Sequence, residues 1–135
     1  MLNRAGMKRV ILLLFALLLA GCGTRALPAW LPPPVDPARG EMIFRHGLNG
    51  APPCVGCHAL AAGGFTLGPV LAGVNERAAT RVEGLSADEY IHQSIVAPRA
   101  YLVPGYRDLM YPDYAEHLTE QDIADLIAFL HTLSS

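Results

Sequence analysis

Apolar residues at positions 123, 126, 127, 130 and 133 recur at the spacing of one helix face and predict a helix from about Glu120 to Leu133. Thr119-Glu120-Gln121-Asp122 ahead of it has the spacing of a capping box. Glu120, Asp122 and Asp125 fall in the first turns, where the helix dipole favours acids. A second box, Ser86-Ala87-Asp88-Glu89, opens a helix to about Val96, with Ile91 and Ile95 as its inward pair and Pro98 ending it. Further upstream, Asp36 is a good N-cap and Pro37 suits the first helical position, so a helix is expected from about Pro37 to His46, stopped by Gly47. Gly40, Ile43 and Phe44 share one face of it. A glycine inside a helix is costly, and a close crossing of another helix at Gly40 would offset that cost.

The stretches between these helices carry little periodicity. Residues 47–53 read as a Gly/Pro loop, and residues 59–85 as glycine-rich turns with a short helix near Val74 to Thr80. Residues 98–118 hold Pro98, Pro104, Pro112, Gly105 and four of the five tyrosines, and cannot form a long regular element.

The N-terminus follows a different pattern. Arg4, Lys8 and Arg9 precede an uninterrupted apolar run of 11 residues, Val10 to Ala20. A membrane span needs about 20 such residues, so this run has the length of a signal-peptide core. It ends in Leu19-Ala20-Gly21-Cys22, small residues before a cysteine that resemble the lipobox of bacterial lipoproteins. Residues 1–21 are therefore expected to be a lipoprotein-type signal peptide and Cys22 the lipidated residue. An ordinary signal peptide with a chance cysteine, or an uncleaved anchor, are the other readings. Four prolines in residues 23–36 suit an extended tether, which would reach about 40 Å at ~3.1 Å per residue. The chain thus divides into a signal peptide (1–21), a lipidated cysteine with a Pro-rich tether (22–36) and a folded domain (37–135).

The chemistry concentrates in Cys54-Val55-Gly56-Cys57-His58. Two cysteines three apart with a histidine after the second read as the attachment site of a c-type haem. Each thiol adds across one vinyl group of the porphyrin, and one turn of helix brings Cys54 and Cys57 to the same side. His58 then offers its imidazole to the iron as proximal ligand. Elsewhere the same Cys-x-x-Cys spacing serves zinc knuckles and redox dithiols. A second pair of zinc ligands and a strand-helix redox setting are both missing from this sequence. The cysteine count agrees with a haem, since the three cysteines divide into one for lipid and two for haem.

Charge narrows the partners. Loss of residues 1–21 removes three basic groups from ten and no acid, leaving seven arginines against twelve Asp and Glu, a net of −5 with no lysine. That balance argues against nucleic acid.

A haem motif behind a Gly/Phe helix, with a capped helix closing the chain, resembles a small bacterial class I (monohaem) cytochrome c domain over about residues 37–135. The resemblance implies an all-α fold of several helices wrapped around one covalently bound haem c. It implies a crossing of the first and last helices, with Gly40 and Phe44 on one side and Leu126 and Phe129 on the other. Gly68-Pro69-Val70-Leu71 resembles the family's Gly-Pro-x-Leu element, which would make the Pro69 carbonyl the acceptor of the His58 imidazole N–H. Met110 is the one methionine after the haem motif and lies in the loop where the family carries its sixth ligand. Tyr111 stands between it and Pro112, whereas the family pattern has proline directly after the methionine. His117, His92 and His131 are the rival ligands. Tyr101, Tyr106, Arg77, Arg81, Arg99 and Arg107 are candidates to bind the haem propionates.

The function implied is a one-electron carrier with no small-molecule substrate, not an enzyme in its own right. It would act in a respiratory or photosynthetic chain outside the cytoplasmic membrane, exported and held by lipid to a bacterial membrane. Its partners would be membrane-bound redox proteins. A haem subunit of a larger membrane oxidoreductase and a ligand-binding or sensory haem protein are the alternatives.

Overall fold

The computed structural model describes residues 33–133, other than 62, 64 and 65; the expected signal peptide, Cys22 and most of the tether lie outside the described residues. The described chain is all-α. It contains α1 (Pro37–His46), a 3₁₀ turn (Cys54–Gly56), α2 (Val74–Ala78), α3 (Ala87–Val96), α4 (Tyr114–His117) and α5 (Glu120–His131). No described helix is long and apolar enough to cross a membrane.

Local chemistry sets the helix ends. The Asp36 carboxylate accepts from the backbone N–H groups of Ala38 and Arg39, Pro37 occupies the first position, and Gly47 closes α1 at φ 73°. Both predicted capping boxes are formed. Ser86 pairs reciprocally with Glu89 at the start of α3, and Thr119 with Asp122 at the start of α5.

Two helices are shorter than their sequence pattern, for the same reason. α2 stops at Ala78 rather than Thr80, because the N–H groups of Thr80 and Arg81 turn to the carbonyls three residues back, those of Arg77 and Ala78. α5 stops at His131 rather than Leu133, where the N–H groups of Thr132 and Leu133 bond to Phe129 and Leu130. In each case a 3₁₀-type closure tightens the last turn and takes up carbonyls that the helix end would otherwise leave without partners. The freed Leu133 carbonyl accepts from the Gly73 N–H at 3.1 Å and so ties the chain end to the start of α2.

The core is built where α1 packs across α5. Ile43, Phe44, Ile123, Leu126 and Phe129 are buried there, and the Phe44 and Phe129 rings lie 5.6 Å apart in a tilted pair. Gly40 makes the crossing possible, since a Cβ at that position would fall 2.0 Å from the Asp125 carbonyl oxygen. The expected contact of Gly40 and Phe44 with Leu126 and Phe129 is thus present, with the backbone of Asp125 taking the closest approach. Ile91 and Ile95 of α3 are buried as expected and complete the core with Tyr90, Tyr114, Leu118 and Leu130.

Polar side chains fix the same crossing. Asp122 and Asp125 are only 2% exposed. The Arg39 guanidinium reaches from α1 to both, donating from Nη2 to Asp122 and from Nη1 to Asp125 Oδ2 at 2.7 Å. Asp125 Oδ1 accepts the Asp36 N–H at 2.8 Å and the Gln121 side-chain amide at 2.9 Å. Burial pushes both carboxyls up, but the hydrogen bonds and the Arg39 charge outweigh it and hold them below the usual carboxylate range. The two aspartates therefore do more than complement the helix dipole. They receive the N-terminus of α1.

Candidate functional site

The haem-motif residues lie on a tight turn. The N–H groups of Cys57 and His58 both bond to the Cys54 carbonyl, at 3.1 and 3.0 Å. The glycine-proline segment runs alongside, with the Gly68 N–H on the Cys57 carbonyl at 3.0 Å and the Leu71 N–H on the Ala59 carbonyl at 2.8 Å. This pairing brings the Pro69 carbonyl oxygen to 2.8 Å from His58 Nδ1. A carbonyl can only accept, so Nδ1 carries the proton and Nε2 keeps the lone pair that a metal would use. Burial pushes His58 below its ordinary value against the opposing pull of the Pro69 bond, which keeps the ring neutral.

Gly68 sits against the same imidazole. A Cβ there would lie 2.5 Å from His58 Cε1 and 2.9 Å from each ring nitrogen. The segment therefore packs flush on the ring and limits its orientation. Arg77 braces the segment from behind, donating from Nη1 to the Ala72 carbonyl at 2.5 Å and from Nη2 to the Val70 carbonyl at 2.7 Å.

Cys54, Cys57, His58 and Met110 all line one cleft, whose walls are apolar side chains such as Phe44, Leu71, Ile91, Ile95 and Leu126. Two thiols, a neutral imidazole with a fixed tautomer and a thioether, set among apolar walls in one cleft, fit a haem and its iron. Before any attachment, burial pushes the Cys54 thiol up, opposed by the neighbouring Tyr114 hydroxyl.

The family model described as cytochrome c matches residues 37–134. The chain belongs to the cytochrome c family. A search of curated proteins finds no match to it. As a cytochrome c it binds covalently attached haem c and carries electrons between redox protein partners. Cytochrome c domains are typically exported to the periplasm.

The structure separates the candidate residues. Met110 lines the cleft and the rival histidines do not. His92 pairs with Glu120 at 3.0 Å and His131 with Asp88 at 2.6 Å. Both nitrogens of His117 are engaged, Nδ1 with the Asn49 carbonyl at 2.8 Å and Nε2 with the Tyr111 hydroxyl at 2.9 Å.

Among the propionate candidates, Arg77, Arg81, Arg107, Tyr101 and Tyr106 line the cleft of this cytochrome c. Arg99 does not. Its Nε is held by the Asp108 carboxylate at 2.9 Å, away from the cleft wall. Arg77 is occupied by backbone carbonyls, which leaves Arg81 and Arg107 as the cations at the cleft without a side-chain hydrogen bond or ion pair among the described residues.

Three residues with structural weight escaped the sequence reading. Arg39 carried no signal beyond its charge, because its two partners lie more than 80 positions away. Asn49 did carry one. Leu48-Asn49-Gly50-Ala51 is an Asn-Gly hairpin turn, with φ 52° at Asn49, φ 93° at Gly50 and an Ala51 N–H to Leu48 carbonyl bond of 2.8 Å. Tyr111 entered the sequence reading only as the residue that interrupts a Met-Pro pair, and its hydroxyl proves to be anchored.

Proposed function

We propose that this cytochrome c is a lipid-anchored monohaem carrier of single electrons, exported by residues 1–21 and held to a bacterial membrane through Cys22. It serves a respiratory or photosynthetic chain outside the cytoplasmic membrane. The observation that carries the site assignment is the His58 Nδ1–Pro69 carbonyl bond of 2.8 Å in a cleft lined also by Met110.

When bound, the haem supplies the redox chemistry, its iron alternating between ferric and ferrous. The residues of the chain determine the rest. Cys54 and Cys57 hold the group through thioether bonds. His58 presents Nε2 to the iron, and the Pro69 carbonyl fixes the ring and raises its basicity. Met110 would offer its thioether sulfur to the iron as a second protein ligand beside His58, and a Met/His pair would raise the potential. The apolar walls exclude water. Arg81 and Arg107, with the Tyr101 and Tyr106 hydroxyls, are the groups available to the propionates.

Carbon monoxide binding to the reduced protein tests the assignment. The parent is expected to bind it poorly, and Met110→Ala to bind it readily and to show a lower potential. A parent that binds carbon monoxide as well as the variant does would make this a ligand-binding haem protein instead. Isolation from membranes in mild detergent tests the other alternative, since stable co-purification with further subunits would make the chain part of a larger oxidoreductase.

A further inference from the structure

The loop before Cys54 and the segment after Met110 are tied together by side chains that the haem chemistry does not use. Asn49 stands in the left-handed region at φ 52°, which asparagine tolerates better than other non-glycine residues. Its backbone carbonyl accepts the His117 Nδ1–H at 2.8 Å, and its side-chain amide donates to the His117 carbonyl at 3.0 Å. Gly50 lies against the same imidazole, where a Cβ would be 3.6 Å from Cε1. With Nδ1 donating to a carbonyl, Nε2 is placed to accept the Tyr111 hydroxyl at 2.9 Å. The Tyr111 ring packs edge-on against Tyr114 at 5.1 Å, and the Tyr114 hydroxyl donates to the Pro52 carbonyl at 3.1 Å. His117 and Tyr114 thereby grip residues 49–52, two positions ahead of Cys54, and Tyr111 is held by both of them.

We propose that His117 is a positioning residue, which through Asn49 and Tyr111 registers the Met110 loop against the loop that leads into Cys54. Tyr111 is the peptide neighbour of Met110, so a fixed Tyr111 limits the excursions of the Met110 backbone. The tyrosine in place of proline after Met110 thus receives a role. A proline would stiffen the loop by its ring, whereas here a hydrogen bond to His117 stiffens it. The inference rests on the reading of Met110 as an axial ligand.

The test uses the full-length haem-loaded protein, with Tyr111→Phe, His117→Leu and the double variant. Two signals read the sixth site: the weak red absorption band given by a methionine sulfur on ferric iron, and the rate of carbon monoxide binding to the reduced form. Loss of one such hydrogen bond shifts a local opening equilibrium by about two- to tenfold. Tyr111→Phe is expected to speed carbon monoxide binding by that factor and to lose the red band at a lower denaturant concentration than the helical signal. The double variant is expected to behave as His117→Leu alone, because the two changes remove a shared bond. A parent without the red band overturns the Met110 reading and this proposal with it. A parent with the band, together with a Tyr111→Phe variant whose carbon monoxide rate is unchanged, overturns this proposal alone. The same holds if the variant loses the band and the helical signal together, since that is general destabilisation. Tyr111→Phe deletes one oxygen and carries the test even if His117→Leu does not fold.

Discussion

The Cβ position of Gly40 lies 2.0 Å from the carbonyl oxygen of Asp125, so α1 and α5 cross at a point where only hydrogen fits. The neighbour is backbone, which cannot swing aside as a side-chain tip would. Alanine is the better helix former by about 1 kcal/mol, yet Gly40→Ala is expected to lose stability. Forced overpacking costs typically about 1–3 kcal/mol and sometimes more, and the crossing also sets the Phe44–Phe129 pair. Phe129→Ala removes that ring from a buried site and should cost about 3–5 kcal/mol. Denaturant titration of the haem-loaded variants measures both. A Gly40→Ala protein as stable as the parent would contradict the crossing.

Arg39 joins α1 to two buried carboxylates, and its removal leaves each short of one donor. The guanidinium side chain is 39% exposed, so solvent screens its charge and the loss at neutral pH is placed at about 1–3 kcal/mol for Arg39→Leu, the cost of under-satisfied buried groups. The pH dependence has a definite sign. Asp122 and Asp125 are held below their ordinary value in the fold. Their contribution is complete above the unfolded value of about 3.9 and is lost as pH falls through the lower folded values. The parent should therefore weaken on acidification below about pH 4. The gap between parent and Arg39→Leu should narrow over the same range, because a protonated carboxyl no longer needs a cation. A gap that is constant from neutral to acid pH would show that Arg39 acts through packing alone.

The helices were legible in the sequence because their signals are local. Asp36-Pro37, Ser86/Glu89 and Thr119/Asp122 cap within three residues, and the apolar spacing of α5 is regular. The haem motif was legible for the same reason, being five consecutive residues. The Gly40 crossing was inferred from a glycine in a costly place and holds in the structure. Long-range polar contacts were not legible. Nothing near Arg39 points to Asp122 or Asp125, and nothing near His117 points to Asn49, 68 positions away. Helix ends drifted at α2 and α5, where backbone N–H groups switch to closer partners before the expected end, in α5 while its apolar periodicity still runs on.

Gly68 limits the His58 ring as Gly40 limits the helix crossing. A methyl at Gly68 would meet three atoms of the imidazole within 2.9 Å. Gly68→Ala is expected to displace the ring or to weaken its bond to the Pro69 carbonyl, which lowers the basicity of the nitrogen facing a metal. Potentiometric titration should show a shifted midpoint, and yields of haem-loaded protein should fall. A less basic proximal ligand favours ferrous iron, so the midpoint of correctly ligated protein should rise. An unchanged midpoint together with a normal yield would remove Gly68 from the control of His58.

If Cys22 carries the proposed lipid, it governs where the cytochrome works rather than how. A single acyl chain binds membranes only marginally, and durable attachment takes more than one. A lipoprotein cysteine carries a diacylglyceryl group, so Cys22 bearing such a group should hold the protein firmly. The Asp36 N–H is held by Asp125 at 2.8 Å, so any tether ends at a defined place on the folded domain. A span of about 40 Å, at ~3.1 Å per residue for an extended Pro-rich segment, would then confine the haem near the membrane. Confinement raises the effective concentration toward membrane-bound partners. Cys22→Ser is therefore expected to release a soluble, haem-loaded cytochrome with an unchanged spectrum, provided that a different peptidase cuts the signal. Electron delivery to membrane partners should fall, and should recover when the soluble protein is added in excess. Mass spectrometry of the mature N-terminus reads the modification directly. An unmodified Cys22, or a chain that starts at another residue, would reject the lipid anchor, while membership of the cytochrome c family rests on residues 37–134 and would stand.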